Sequence, residues 1–302
     1  MKEKTLAILG EQQRNGVTAE CSDADYRGFP FRIGLFCSKV AIDDRENGVA
    51  VTFGALRSAA QIYQPSHIVW ELDGPAETRT SHGFTASSQW RNLQSSLITT
   101  LGGVERSSTV IKGLQTNIVS TQTQQTITVA VADTEAHLRQ NGADLDAAIT
   151  LKDTALTAAG LPQALPKFTA VADVTLAGKA AMLAGQDRGK GLYGTQGEMR
   201  QVGIDLGNGQ LLSVSGPFSI DEEGRISGKL KLRVDKIAAW REDVAADRQE
   251  VVILLHDFSF RPAEELLSAL TGGGDSASLD LTLNRGKVLV GGFIAIGEIP
   301  PI

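Results

Sequence analysis

The chain has 302 residues and a formal net charge of −6 at pH 7, and a chain of that length folds as one large domain or two smaller ones. The acidic balance argues against generic binding to nucleic acid or to an anionic membrane surface. No apolar run approaches the roughly 20 residues of a membrane-spanning helix, and no basic-then-apolar signal peptide is visible. From the residues alone we therefore expect a soluble protein.

The first predicted element is a helix over residues 2–14, which favour helix and contain no proline. We expect residues 1–20 to form an N-terminal helical stalk and residues 21–302 to form a single β-rich domain. A sub-boundary is predicted near 160–166, where prolines bound a short segment between two apolar patterns.

The two cysteines of the chain, Cys21 and Cys37, lie on either side of the predicted change from helix to strands. A zinc site is disfavoured, because zinc needs four closely spaced ligands and the nearest histidine in sequence is His67. Two reduced core thiols remain an alternative, but the polar stretch 20–23 is an unusual place for a buried thiol. A disulfide is favoured. It would stabilise the fold by about 3 kcal/mol and would indicate an oxidising compartment.

The segment between the cysteines has a two-residue apolar period. Its alternation, with Pro30 removing a backbone donor, predicts an edge strand or the start of one, with Cys37 on the same face as the phenylalanines. The apolar positions are Phe29, Phe31, Ile33 and Leu35, and they alternate with Pro30, Arg32 and Gly34.

Most of the remaining chain also predicts strands, because apolar residues alternate with polar ones between turn residues. Short helices are predicted at 133–139, 235–248 and 262–270. The expected fold class is α+β, mainly an antiparallel β meander, with an elongated or half-barrel sheet covered by a few helices. The predicted strands lie within 29–74, 84–98, 104–132, 145–151, 168–176, 202–234 and 279–296.

Residue patterns typical of catalysis are weak. The segment 189–194 has the glycine spacing of a dinucleotide loop, but no strand–loop–helix unit surrounds it. The four histidines have no metal-ligand spacing, and no nucleophile elbow is present. We therefore predict no catalytic residue, no metal ligand and no cofactor, and we expect a non-enzymatic protein. The histidines are His67, His82, His137 and His256.

Three motifs give the chain a family resemblance. The pentapeptide Gly28, Phe29, Pro30, Phe31 and Arg32 lies between the cysteines; the others are residues 65–68 with 73–75, and 283–288 with 299–302. In these motifs the chain resembles, over essentially its whole length, the family catalogued as domain of unknown function 2125. The motifs are interpreted as structural. The resemblance implies a mostly alphaproteobacterial, periplasmic domain held at the inner membrane by an N-terminal anchor that these residues do not include.

Taken together, these features predict an uncharacterised periplasmic envelope protein that binds a lipid or another apolar ligand on a concave sheet face. This expectation comes from the many one-sided strands relative to the few helices available to cover them. The alternative is a structural or assembly module that binds another envelope protein. No nucleic acid partner is expected, and the membrane is expected to be a partner only through the anchor.

Overall fold

The computed structural model describes residues 17–28, 31–45, 47–81, 83–158, 167–184, 191–207, 209–239 and 275–302. These residues form twenty β-strands and one short helix, α1 (Ala180–Leu183), and residues 237–239 are also helical. The strands pair antiparallel. The predicted antiparallel sheet is therefore confirmed.

The chain divides into two compact units. Unit 1 comprises Met1–Leu101, Ser107–Glu135 and Thr154–Gly160, and unit 2 comprises Gly102–Arg106, Ala136–Asp153 and Leu161–Ile302. Three long strands contribute residues to both units. Residues 17–20 of the predicted stalk belong to a strand, and residues 1–16 lie outside the described residues.

Unit 1 is a meander of short strands that alternate between two half-sheets. The first half-sheet has the strand order β1-β4-β5-β8-β9-β11. The second has the order β2-β3-β6-β7-β10. The strands are β1 (Val17–Ser22), β2 (Asp25–Arg27), β3 (Arg32–Cys37), β4 (Lys39–Asp44), β5 (Val49–Phe53), β6 (Leu56–Gln61), β7 (Gln64–Leu72), β8 (Ala76–Thr80), β9 (Phe84–Gln89), β10 (Asn92–Thr100), β11 (Gly103–Ser120), β12 (Thr126–Asn141) and β13 (Asp144–Ala158).

The chain passes from one half-sheet to the other at short kinks, which include Ser38, 54–55, 73–75 and 90–91. These kinks together are named the kink line. Backbone hydrogen bonds continue across it: Gly54 N–H donates to Asp73 O at 3.0 Å, and Asp73 N–H donates to Ala55 O at 2.8 Å. A Cβ on Gly54 would lie 2.8 Å from the Asp73 carbonyl oxygen, so this close approach requires glycine. The kinks therefore bend the strands without breaking the backbone pairing.

Unit 2 contains a regular meander in which consecutive strands pair with each other. Leucine and valine alternate with lysine and arginine along its central strand, so one face is apolar and the other is charged. The buried core of this face comprises Leu230, Leu232, Val234, Ile237, Leu281, Leu283 and Val288. The strands are β14 (Phe168–Leu176), β15 (Gln196–Asp205), β16 (Leu211–Ile220), β17 (Ile226–Asp235), β18 (Ser276–Asn284), β19 (Lys287–Val290) and β20 (Ile294–Glu298).

The prediction of a helix at 133–139 is wrong, because β12 is extended throughout this segment. Side chains on both sides bind it: Lys112 of β11 contacts Asp133 at 2.6 Å, and Arg139 donates to Asp146 of β13 at 2.9 Å. Sheet pairing overrides a local helix preference here. The predicted helices at 2–14 and 262–270 lie outside the described residues, and so does the predicted helix at 235–248 beyond residue 239. That these helices cover the sheet therefore stays a prediction.

Candidate apolar cleft

The inner face of the second half-sheet is apolar. The register places Cys37 beside Leu56 and Leu56 beside Leu72. On the same face it places Ile33 beside Ala60. Ile33, Leu35 and Cys37 thus share a face, as the alternation predicts. The opposite, outer face includes the charged residues Arg57 and Glu71.

The inner face of the first half-sheet is built in the same way. Cys21 lies beside Val40 and Val40 beside Phe53, while the next row joins Ile42 to Val51. The outer face of these strands is polar, with Glu20, Thr52 and Glu77.

The disulfide shows that the two apolar faces point toward each other. Cys21 lies on the inner face of the first half-sheet and Cys37 on the inner face of the second, and their sulfur atoms are bonded with a Cα–Cα distance of 5.2 Å. The two faces therefore converge at the kink line. These two inner faces together are named here the apolar cleft. The disulfide prediction is confirmed.

A change of phase in the sequence accompanies the convergence. Cys37 and Val40 are three positions apart, yet both face the cleft, and the same is true of Phe53 and Leu56. In a straight strand, residues an odd number of positions apart lie on opposite faces. Ser38 and the pair 54–55 shift the alternation by one position, so the apolar side chains before and after each kink face the cleft. This slip was a signal in the sequence that the strand predictions did not use.

Burial falls from the base of the cleft toward its margins. At the kink line, Cys37, Leu72, Ala76 and Leu93 are buried. Further out, Ile42 is 36% exposed and Phe84 is 50% exposed, although both lie on the inner face. The cleft therefore has a packed base and apolar walls that water reaches.

The outer surface at the kink line carries an ion-pair cluster. Arg57 donates to both carboxylate oxygens of Asp73, at 2.6 and 2.8 Å, and its Nε lies 3.3 Å from Glu71. These hydrogen bonds lower the pKa of Asp73 despite its partial burial. Trp90 adds a hydrogen bond from Nε1–H to Leu72 O at 2.8 Å. The cluster joins the start of β6 to the end of β7, beside the kinks at 54–55 and 73–75, and leaves no unpaired charge on Arg57.

Unit 2 contains a buried carboxylate that the sequence analysis missed. Asp146 accepts hydrogen bonds from Thr175 at 2.7 Å, Arg139 at 2.9 Å and Arg200 at 3.1 Å. Burial disfavours its charged form, but the three donors outweigh burial and lower the pKa of Asp146 to about 2. The arrangement ties four strands together. It is satisfied within the protein and leaves no free group for chemistry.

The charged face of β17 in unit 2 lines a shallow, open depression of about 600 Å³. Lys229 and Lys231 lie on one side of it, with Asp280 directly opposite Lys231 on the neighbouring strand. Charges of both signs thus alternate across this surface. Both lysines are exposed, so this is a solvated sheet face.

The family pentapeptide is partly described. Gly28 has a φ of 105° and its carbonyl accepts the Arg32 N–H at 3.1 Å, so it closes the turn into β3. Phe31 is 78% exposed rather than packed on the cleft face. Phe29 and Pro30 lie outside the described residues.

The histidines do not form a site in the described part of the chain. His67 Nε2 lies 2.8 Å from Ser96 Oγ, on the outer sheet face. His82 and His256 lie outside the described residues. Among the residues that are described, no group of three or more His, Cys, Asp or Glu side chains has a metal-binding arrangement, and no helix is long and apolar enough to span a bilayer.

Comparison with known proteins identifies a family. No curated protein matches the chain. The family described as "Uncharacterized protein conserved in bacteria (DUF2125)" matches residues 1–300. Because the match covers nearly the whole length, the chain belongs to this bacterial family.

Proposed function

We propose that this protein is a non-enzymatic component of the bacterial envelope that binds a lipid or another apolar ligand in the apolar cleft of unit 1. In the full-length protein, the domain works in the periplasm, held by an N-terminal anchor at the inner membrane. The cleft is the observation that carries the proposal, because two apolar sheet faces converge there without burying their outer rows.

The exposure of the cleft walls favours a ligand over a closed core. Ile42 and Phe84 lie on the inner face of the first half-sheet, and the outer face of that half-sheet is polar. Their strands therefore have one apolar and one solvated face, and the exposed side chains are on the apolar face. Ligand sites are mostly apolar concavities with a few polar groups. An acyl chain laid against these rows would remove the exposed apolar surface from water at about 25 cal/mol per Å².

The disulfide supports the proposed compartment. Cysteine pairs of this kind persist in oxidising environments such as the bacterial periplasm. In this fold the bond also has a definite position, because it fixes the base of the cleft where the half-sheets meet. A bound ligand would therefore meet a fixed base and more exposed walls.

The test uses cis-parinaric acid, a fatty acid whose fluorescence rises in an apolar site. We expect saturable binding to the oxidised full chain and roughly tenfold weaker binding to Phe84→Glu, because the new charge lies on the cleft wall. The matched control is Val69→Glu. Val69 is 48% exposed but lies on the outer face, so its substitution should leave binding unchanged. Absence of saturable binding, or equal losses in both variants, would contradict the proposal.

A second candidate function, partner assembly, is favoured by the edge of unit 2. Strand β20 pairs with β19, and no other pairing of β20 occurs among the described residues. Phe293 and Ile294 beside this edge are both exposed. An edge with apolar side chains can accept a strand from a partner. Crosslinking in a periplasmic extract, with Ile294→Lys as the variant, tests this: a crosslinked partner that Ile294→Lys removes would favour assembly.

A further inference from the structure

One end of the second half-sheet exposes an unusual set of apolar side chains. They are named the tip and comprise Phe31, Ile62, Tyr63 and Leu101. Phe31 and Tyr63 are each 78% exposed, Ile62 is half exposed and Leu101 is fully exposed. Four large apolar side chains at this exposure are costly in water unless a partner covers them.

The tip residues come from neighbouring strand ends. Ile62 N–H donates to Phe31 O at 3.2 Å, which joins the start of β3 to the turn between β6 and β7. Strands β7 and β10 pair with Ile98 beside His67, and Thr99 Oγ1 donates to Ser66 O at 3.2 Å. The same register continued brings Leu101 level with the start of β7. The four residues therefore share one end of the half-sheet.

The charge of this end differs from that of the whole chain. The segments 26–35, 58–68 and 95–101 contain two arginines, Arg27 and Arg32, and no Asp or Glu, whereas the chain as a whole carries −6. Arg27 contacts Asp25 at 2.6 Å and is partly neutralised. Arg32 is exposed and has no ion-pair partner among the described residues. The tip therefore combines an apolar surface with the exposed cation of Arg32.

We propose that the tip docks on the surface of an anionic lipid bilayer. Aromatic side chains such as Tyr63 settle at the level of the headgroups, and aliphatic ones such as Ile62 and Leu101 reach the acyl boundary. Arg32 then meets anionic headgroups, where one cation strengthens binding roughly fivefold. The docking goes beyond the ligand-binding proposal, and it holds whether or not the cleft binds a ligand.

The experiment is cosedimentation of the full chain with phosphatidylcholine vesicles, with and without phosphatidylglycerol. We expect binding that phosphatidylglycerol strengthens and salt weakens. Tyr63→Ser combined with Leu101→Ser should weaken it roughly tenfold or more. Arg32→Gln should weaken binding roughly fivefold, and only to the vesicles that contain phosphatidylglycerol. The control is Ile149→Ser, at an apolar residue of unit 2 that is 40% exposed and should leave vesicle binding unchanged.

A second readout does not depend on affinity. Leu101→Trp should give an emission that shifts to shorter wavelength on phosphatidylglycerol vesicles, while the emission of Ile149→Trp should not shift. Equal loss or equal shift at both sites would overturn the proposal, as would no vesicle binding by the unaltered protein. A tip variant that turns a dimer into a monomer with vesicle binding unchanged would also overturn it, because a second copy would then be the occupant. Phe84→Glu should retain vesicle binding, which separates this result from a failure of the cleft proposal.

Discussion

The two units of this protein use the same strand chemistry with different outcomes. Among the described residues, unit 2 buries eleven apolar side chains and leaves five large ones exposed, whereas unit 1 buries five and leaves nine exposed. Both units have sheets with one apolar and one polar face. One-sided patterning therefore determines that a sheet forms but not whether its apolar face is closed.

The structural reason lies in what meets the apolar face. In unit 2, Leu232 and Val234 belong to a compact cluster that includes Ile237, which follows directly after β17, and Val234 is only 1% exposed. In unit 1, the apolar face of one half-sheet meets that of the other at the kink line, where Cys37 and Leu72 are buried. The outer rows have no such cover among the described residues.

The largest expected effect is in the closed core. Leu232→Ala in unit 2 should lower the free energy of unfolding by about 2–5 kcal/mol, because it leaves a cavity in a packed cluster. Leu97→Ala, at a half-buried position on the inner face of unit 1, should lower the free energy of unfolding by clearly less. Denaturant unfolding of both variants makes the comparison. Equal losses would mean that unit 1 is as closed as unit 2.

The next effect is specific to unit 1. Replacing both cysteines by serine should lower stability by about 3 kcal/mol, because the bond closes a loop of about 15 residues in the unfolded chain. Hydrogen exchange read by mass spectrometry should show faster exchange in β1, β3 and β4 and little change in β16–β18. Faster exchange in both units alike would contradict a role confined to the base of the cleft.

A smaller effect belongs to unit 2 and depends on pH. The folded pKa of Asp146 is about 2, below the value of 3.8 for a free carboxyl, so its contribution is present above the unfolded pKa and is lost as pH falls through the folded one. That contribution is about 2 kcal/mol. Urea unfolding between about pH 6 and pH 2 should show the loss in the native sequence. Asp146→Asn should be less stable at neutral pH and should have a flatter pH profile, and parallel profiles for the two proteins would contradict the assignment.

The sequence predicted much of the fold because alternation is a local signal. It identified the strands around Val129 and Leu232, the disulfide partners, and the shared face of Ile33, Leu35 and Cys37. It failed at 133–139, where sheet neighbours on both sides override a segment that favours helix.

The candidate site was harder to predict, because it depends on how strands meet and not on what each strand contains. The phase slip between Cys37 and Val40 was readable in the sequence, but its meaning required the pairing of both half-sheets. Asp146 lies within an apolar strand pattern. Its partner Arg139 comes from the preceding strand and its partner Arg200 is 54 positions away, so only the pairing of the strands identifies the cluster. The tip combines strand ends that only the register brings together.

The most direct test of the contrast between an open cleft and a closed core is labelling with a fatty acid that carries a diazirine. After irradiation with the oxidised full chain, digestion and mass spectrometry would locate the labelled residues. We expect labels on the inner-face rows of β4, β5 and β9 in unit 1, around Ile42, Val51 and Phe84. Labels concentrated on the β17 and β18 core of unit 2, or spread evenly over both faces of unit 1, would contradict it.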